Sequence, residues 1–138
     1  MGLDCVRVRG GTDRHSLYLA GRGHPSIGVD GSSEMLAKAR SKLRAGDFRE
    51  GSLSSLPLGP ESVVVDVCAL ALVHLPDLRQ AVEEFARVVR AGGRVIITEV
   101  HPFPILLGWQ AQFRTTSGDM GFMRIHPHLA SEYWQAYT

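Results

Sequence analysis

The run Val63 to Ala69, with the sequence VVVDVCA, constrains the fold more than any other stretch of the chain. β-Branched residues dominate it, and apart from Asp66 it shows no polar alternation that would mark a solvent-facing side. Such a strand is typical of a parallel sheet that is buried on both faces by helices. Strand and helix signals alternate along the rest of the chain. We therefore predict an α/β fold with three layers and a parallel central sheet.

Periodicity and turn residues place the other elements. We expect further strands at residues 3–8, 26–29, 47–50 and 94–100, and helices at 14–20, 32–46, 77–91 and 131–137. Ser32 is suited to cap the second helix because its hydroxyl can accept a free backbone N–H, and Gly46 is suited to end it in a left-handed conformation. Asp77 is expected to cap the third helix, whose inward stripe is predicted to be Leu78, Val82, Phe85 and Val89.

Composition sets bounds on function. The 138 residues predict one domain, with a core at 1–100 and a substrate-side segment at 101–138. The net charge of +1 gives no field that would attract nucleic acid or an anionic membrane surface. No apolar run is long enough to span a bilayer. Two cysteines make no disulfide framework, which favours a cytoplasmic setting.

The segment SIGVDGSSEML, at residues 26–36, carries the first sign of function. An apolar strand ends in Asp30, and a helix opens shortly afterwards at Met35 and Leu36. Ligands of open α/β sheets bind at the carboxyl ends of the strands, and a carboxylate there suits the hydroxyls of a ribose. Asp30 also lies about 20 residues beyond the turn at Gly10-Gly11, as expected within a nucleotide-binding βαβ unit.

Five segments, in order, resemble those of the class I S-adenosylmethionine-dependent methyltransferases that act on small molecules. They are RHSLYLAGRGH for the first helix, IGVDGSSEML for the ribose acid, EGSLSSLPL for the adenine loop, VCALALVHLPD for the fourth strand and its loop, and ARVVRAGGRVIITEVHPF for the last turn and fifth strand. The resemblance covers Gly10 to Val100. It implies a Rossmann-like fold, S-adenosylmethionine as the cofactor, and a small-molecule acceptor.

The same resemblance implies which residues form the site. The cofactor contacts would come from Gly10, Gly11, Asp30, Gly31, Met35, Ser52, Leu53 and Leu70. The candidate general bases are His74 and His101, which follow the fourth and fifth strands. No metal site is expected, since His101, His126 and His128 have no cysteine or carboxylate cluster beside them.

Two departures from the family pattern keep other functions open. Arg7 and Asp13 stand where the pattern of the first loop has an acid and its last glycine, and Ser52 stands where an acid would meet the adenine amino group. One alternative is a non-catalytic interaction protein on a degenerate methyltransferase scaffold. Another is an NAD(P)-binding oxidoreductase, although residues 9–14 do not supply Gly-x-Gly-x-x-Gly.

The family also suggests that elements are missing. A class I methyltransferase is expected to carry a helix before the first strand and two strands after the fifth, and no strand pair is predicted after Val100. We therefore expect a truncated member whose C-terminal strands are absent. An exposed fifth strand would invite pairing with a second copy, so a homodimer through this edge is a further prediction.

Overall fold

The computed structural model describes residues 6–9 and 14–138. The elements in chain order are β1 (Val6–Arg9), α1 (Arg14–Ala20), β2 (Ser26–Asp30), α2 (Ser33–Lys42), β3 (Asp47–Glu50), β4 (Val63–Ala69), a 3-10 turn (Leu72–His74), α3 (Arg79–Val88), β5 (Val89–Thr98), α4 (Pro102–Leu106), β6 (Gln112–Arg114), β7 (Met120–Phe122) and α5 (Ala130–Tyr137).

Five parallel strands form the main sheet in the order β3-β2-β1-β4-β5. Because all of them run the same way, their carboxyl ends lie along one side of the sheet, called here the carboxyl edge. The order changes direction at β1, which pairs with β2 on one side and β4 on the other. Such a switch point is where ligands bind in open α/β sheets. The predicted α/β architecture is confirmed.

Helices cover both faces of the sheet and make the predicted three layers. On one face, Leu36 and Ala39 of α2 pack against Phe48 of β3. On the other face, α3 places Phe85 and Val88 in the main core, which also contains Cys68 and the following residues: Val29, Leu53, Leu56, Leu58, Val63, Ala71, Leu72, Leu78 and Ala81. Burying each large apolar side chain contributes about 1.5–3 kcal/mol, so this core supplies most of the driving force for folding.

The second helix begins as predicted and ends earlier. The hydroxyl of Ser32 accepts the backbone N–H of Met35 at 3.3 Å, and the helix starts at the next residue. It ends at Lys42, with Leu43 as its C-cap, and Gly46 does not take a left-handed conformation. The prediction for Gly46 was therefore wrong. Gly46 serves close packing instead, because a Cβ there would lie 2.4 Å from the Phe48 ring.

Residue boundaries around the other strands differ in part from the prediction. The fourth strand occupies Val63–Ala69, as expected, and β1 ends one residue later than predicted, at Arg9. Helix α3 follows Asp77, whose Oδ1 accepts the N–H of Arg79 at 2.9 Å. It ends at Val88, so Val89 begins β5 rather than completing the helical stripe. β5 then continues through Ala91-Gly92-Gly93, because Gly92 accepts a φ of +78° and the pairing with β4 shifts register there.

Beyond Val100 the structure corrects the prediction that no strand pair follows. β6 and β7 pair with each other in an antiparallel hairpin that forms a sheet of its own. Among the described residues, no strand pairs with the outer side of β5, where Ile96 is 46% exposed. The predicted homodimer through this edge stays a prediction. The last helix was expected at 131–137 and starts one residue earlier.

Candidate cofactor site and acceptor side

Asp30 lies at the tip of β2 with one carboxylate oxygen occupied. Its Oδ1 accepts the backbone N–H of Ser32 at 2.8 Å, which fixes the carboxylate at the entrance to α2. The second oxygen has no hydrogen bond to any of the described residues, and the side chain is half-buried. A carboxylate held by one oxygen and open at the other can accept hydrogen bonds from a pair of ligand hydroxyls.

Next to Asp30 an open cleft of about 500 Å³ lies between the ends of β2 and β3. It is lined by Gly31, Glu50, Gly51 and Ser52. Two of the predicted cofactor residues, Gly31 and Ser52, therefore come together across neighbouring strands. Asp30 and Glu50 pair in register, and the N–H of Gly51 donates to the carbonyl of Asp30 at 3.0 Å.

Glu50 is a candidate site residue that the sequence prediction lacked. It ends β3 beside Asp30, is exposed, and lines the cleft. The signal that would have found it is the second acid at a strand end, since acids that end neighbouring parallel strands meet at the carboxyl edge. Among the described residues that line the cleft, Glu50 is the one with a charged side chain, and Asp30 precedes the lining residue Gly31.

The apolar residues predicted to contact the adenine differ in how exposed they are. Met35 is partly exposed in the first turn of α2, close to Asp30. Leu70 is 56% exposed directly after β4. Leu53 is only 1% exposed and belongs to the main core, so its side chain is not at the surface of the cleft. Gly10 and Gly11 lie outside the described residues.

Leu70 has an unusual backbone that the end of β5 holds in place. Its φ is +53°, a left-handed conformation that leucine adopts only at some cost. The N–H of Leu70 donates to the carbonyl of Thr98 at 2.7 Å. The next two N–H groups, of Ala71 and Leu72, donate to Oε1 of Glu99 at 2.8 and 2.6 Å. Burial raises the pKa of the Glu99 carboxyl, although these donors oppose the shift.

Of the two candidate bases, His74 keeps a free nitrogen lone pair in its neutral form. Its Nδ1 lies 3.2 Å from the carbonyl of Arg124, and because a carbonyl only accepts, Nδ1 must be the protonated nitrogen in this contact. Nε2 of neutral His74 is then unprotonated. His101 is the opposite case. It is exposed, and its Nδ1 accepts the N–H of Phe103 at 3.2 Å as the cap of α4, which leaves its proton on Nε2.

The segment 124–128 lies against the 3-10 turn through three long-range contacts. The carbonyl of Arg124 accepts from His74, the N–H of His126 donates to Val73 at 2.7 Å, and Nε2 of His128 donates to the carbonyl of Leu75 at 2.7 Å. His128 is 8% exposed and packs edge to face on Tyr133 of α5, with ring centroids 5.9 Å apart. Its ring therefore has a structural role.

The described residues hold no group of three or more histidine, cysteine and carboxylate side chains that could bind a metal ion. The same part of the chain has no helix with the length and apolarity needed to cross a bilayer.

A larger cleft, of about 700 Å³, lies away from the predicted site. It is bounded by α1, β4 and β5, and Val64, Val67 and Ile96 are among the residues that line it. It therefore lies against a face of the sheet rather than at the carboxyl edge. Within the described part of the chain, no predicted cofactor or base residue lines it.

Comparison with known proteins agrees with the geometry. A family described as methyltransferase domain matches residues 7–97. The chain is 37% identical over 86 residues to an arsenite methyltransferase of Halobacterium salinarum, covering 56% of this chain and 22% of that protein. It is 34% identical over 104 residues to a demethylmenaquinone methyltransferase of Desulfitobacterium hafniense, covering 69% and 41%. The chain thus spans between a fifth and two fifths of the length of these two relatives.

Solved structures show the same fold. An S-adenosylmethionine-dependent methyltransferase from Mesorhizobium loti superposes with a TM-score of 0.77 at 18% identity, over 99% of this chain and 72% of that one. A geranyl diphosphate methyltransferase in complex with S-adenosylmethionine gives a TM-score of 0.61 at 20% identity, over 69% and 42%.

Proposed function

We propose the activity of this chain from one premise: it belongs to the class I S-adenosylmethionine-dependent methyltransferases. The proposed reaction is methyl transfer to a small molecule. When bound, the cofactor would supply a methyl group on a sulfonium sulfur, and the neutral thioether left after transfer is a good leaving group. The protein then has mainly to bind the cofactor and align the acceptor.

Residues that line the cleft, and others near it along the carboxyl edge, fit this cofactor by their chemistry. The open oxygen of Asp30 and the carboxylate of Glu50 can accept hydrogen bonds from the two ribose hydroxyls. The partly exposed thioether of Met35 and the exposed side chain of Leu70 offer apolar contacts for the adenine ring. Ser52 can bond the edge of the ring through its hydroxyl, while Leu53 can contribute its backbone alone.

One observation carries the proposal: Asp30 presents an open carboxylate oxygen beside a cleft that a second strand-end acid lines. Burying or ordering a carboxylate at a strand end costs free energy unless the group has a partner. Its Oδ1 is used to fix its orientation, so the remaining oxygen is available for a ligand. The hydroxyls of a ribose could donate hydrogen bonds to this open oxygen and to the Glu50 carboxylate.

On the acceptor side we propose His74 as the general base, where the acceptor has to lose a proton. Its Nδ1 proton is engaged by Arg124, which leaves Nε2 as the acceptor of the neutral ring. His101 is the weaker choice because its unprotonated nitrogen caps α4. Nitrogen-15 NMR of the histidine rings distinguishes the two tautomers. A ring of His74 protonated on Nε2 would exclude it as the base in this arrangement.

The relatives support a small-molecule acceptor at the level of class. Their names refer to arsenite, demethylmenaquinone and geranyl diphosphate methylation. These acceptors share no common chemistry, so we propose no particular one for this chain.

Calorimetric titration tests the proposed function directly. The purified chain is titrated in parallel with S-adenosylmethionine, S-adenosylhomocysteine and NAD. Binding of the first two, with no binding of NAD, is the expected result. Binding of NAD alone would favour the oxidoreductase alternative, and binding of none of them would favour an interaction protein on this scaffold.

A further inference from the structure

Three successive backbone N–H groups follow β4, and the end of β5 accepts all of them. Residues Leu70, Ala71 and Leu72 form what we call the 70–72 turn. The carbonyl of Thr98 accepts the first N–H, and Oε1 of Glu99 accepts the other two at 2.8 and 2.6 Å. Ala71 and Leu72 are buried, so their N–H groups would be costly to leave without acceptors.

The turn has a conformation that needs such support. Leu70 has a φ of +53°, and left-handed backbone of this kind persists in a non-glycine residue when its surroundings enforce it. The conformation leaves the Leu70 side chain 56% exposed at the carboxyl edge, although most of its neighbours in β4 and the turn are buried. An exposed leucine held in a strained backbone favours a role in contact with a ligand over one in packing.

The position of Glu99 costs free energy, because one of its carboxylate oxygens is buried without a hydrogen bond. Its Oε2 is buried and has no hydrogen-bond partner among the described residues. Tyr133 lies near enough for the carboxylate to contribute to the raised pKa of that phenol, after burial as the larger cause. A side chain present only for stability would be expected to satisfy both oxygens. The cost is explained if the position of the turn matters for binding.

We propose that Glu99 is a positioning residue of the cofactor site, which holds the 70–72 turn so that Leu70 meets the bound cofactor. This inference rests on the proposed function. Glu99 acts through the backbone of Ala71 and Leu72, and it does not take part in the chemistry. Its essential feature is the geometry of one acceptor oxygen rather than its negative charge.

Substitutions of Glu99 separate the acceptor from the charge. In Glu99→Gln, the amide oxygen can still accept both N–H groups, so the dissociation constant for S-adenosylhomocysteine should stay within about threefold of the wild type. In Glu99→Ala both acceptors are lost, and we expect binding about tenfold weaker or more. Equal weakening in both variants would overturn the proposal, as would no weakening in Glu99→Ala.

Val82→Ala serves as the matched control for a loss of stability. Val82 is buried in α3 and is not a member of the core cluster that contains Ala71 and Leu72. Its truncation should lower the melting temperature while leaving the dissociation constant unchanged. If Glu99→Ala does not fold, Glu99→Asp replaces it, because the shorter carboxylate keeps the charge but cannot reach both N–H groups.

A double variant tests whether Glu99 affects cofactor binding by holding the backbone of Leu70. In Leu70→Gly the backbone adopts positive φ freely, so the turn no longer depends on Glu99. Adding Glu99→Ala to Leu70→Gly should therefore weaken binding by less than twofold further. A further weakening as large as in the wild-type background would show that Glu99 does not act through Leu70.

Amide hydrogen exchange of the unliganded protein tests the role of Glu99 separately from the proposed cofactor binding. We expect slow exchange at Ala71 and Leu72 in the wild type and in Glu99→Gln, and exchange at least tenfold faster in Glu99→Ala. A wild type with protected amides but no affinity for S-adenosylhomocysteine would refute the proposed function alone. Equal protection in all three proteins would refute the role of Glu99, whatever the cofactor affinity.

Discussion

At the ends of β2 and β3, side chains are held by close neighbours in sequence, whereas at the ends of β4 and β5 they are held by distant ones. Asp30 contacts Ser32, and Ser32 contacts Met35, at separations of two and three residues. Glu99 reaches back 27 and 28 residues, and His128 reaches back 53. We call these two regions the β2–β3 half and the β4–β5 half of the carboxyl edge.

The difference separates binding from stability. Local contacts in the β2–β3 half orient a carboxylate toward solvent, where a ligand completes its hydrogen bonding. Long-range contacts in the β4–β5 half satisfy buried backbone groups, so their loss leaves donors or acceptors unpaired inside the protein. Loss of the Asp30 carboxylate should therefore act mainly on cofactor affinity. Loss of a buried long-range contact in the second half should lower the free energy of unfolding, and Glu99 should affect affinity as well because it holds Leu70 in place.

The largest effect is expected from Asp30→Ala, which should weaken cofactor binding. The charge-assisted hydrogen bond that the open oxygen would accept from the ribose is lost, at about 1.5–3 kcal/mol, which corresponds to roughly 10- to 100-fold weaker binding. Titration calorimetry with S-adenosylhomocysteine measures the change. Asp47→Ala is the control, because Asp47 is an exposed acid at the opposite end of the same strand pair and bonds Arg49. Equal affinity of Asp30→Ala and the wild type would show that the ribose lies elsewhere.

Next in size is the stability effect of His128→Ala in the β4–β5 half. The variant leaves the part-buried carbonyl of Leu75 without its donor and removes the ring that packs on Tyr133. We expect the free energy of unfolding to fall by about 2 kcal/mol, measured by urea denaturation.

His126→Ala provides the matched control for that measurement. His126 contacts Val73 through its backbone N–H, which alanine retains, so the loss should be under about 0.5 kcal/mol. Cofactor affinity should not change in either variant. A fall in affinity without a fall in stability for His128→Ala would contradict the separation of the two halves.

A smaller effect is expected from Ser32→Ala. The hydroxyl that accepts the N–H of Met35 is lost, and a helix cap of this kind contributes about 1 kcal/mol. Thermal unfolding measures it. Ser33→Ala is the control, because Ser33 is exposed inside the first turn and alanine has the higher helix propensity there. A loss of the same size in both variants would argue against Ser32 as the cap.

The smallest effect is expected from Tyr133→Phe, which should leave the free energy of unfolding almost unchanged at pH 7. Burial, with the Glu99 carboxylate as a lesser cause, raises the pKa of the Tyr133 phenol to about 12. A raised pKa means that the folded state favours the protonated phenol. The resulting stability is present below pH 10 and is lost as the pH rises through about 12. Alkaline unfolding should therefore start at higher pH in the variant, and an unchanged onset would contradict the shift.

The sequence predicted the β2–β3 half well because its contacts are short. In that half, Ser32 was predicted correctly from its position before an apolar periodic segment. In the other half, the strand Val63–Ala69 was predicted correctly from its β-branched composition, which is also a local signal. Asp30 followed from an acid at the end of an apolar run. Gly46 and Val89 were misplaced, since helix ends depend on competition with packing and with strand pairing that a local pattern does not contain.

The sequence alone determined the α/β class, the strand that ends in Asp30 and the family resemblance, because each depends on residue types at short, regular spacing. Only the tertiary structure brought Glu50 beside Asp30, attached Glu99 to the 70–72 turn, and gave neutral His74 an unengaged nitrogen without a proton, whereas the unengaged nitrogen of neutral His101 carries one. These arrangements join residues 20 to 50 positions apart. Such contacts between distant residues form only once the sheet and its helices have brought them together, so no local pattern in the sequence contains them.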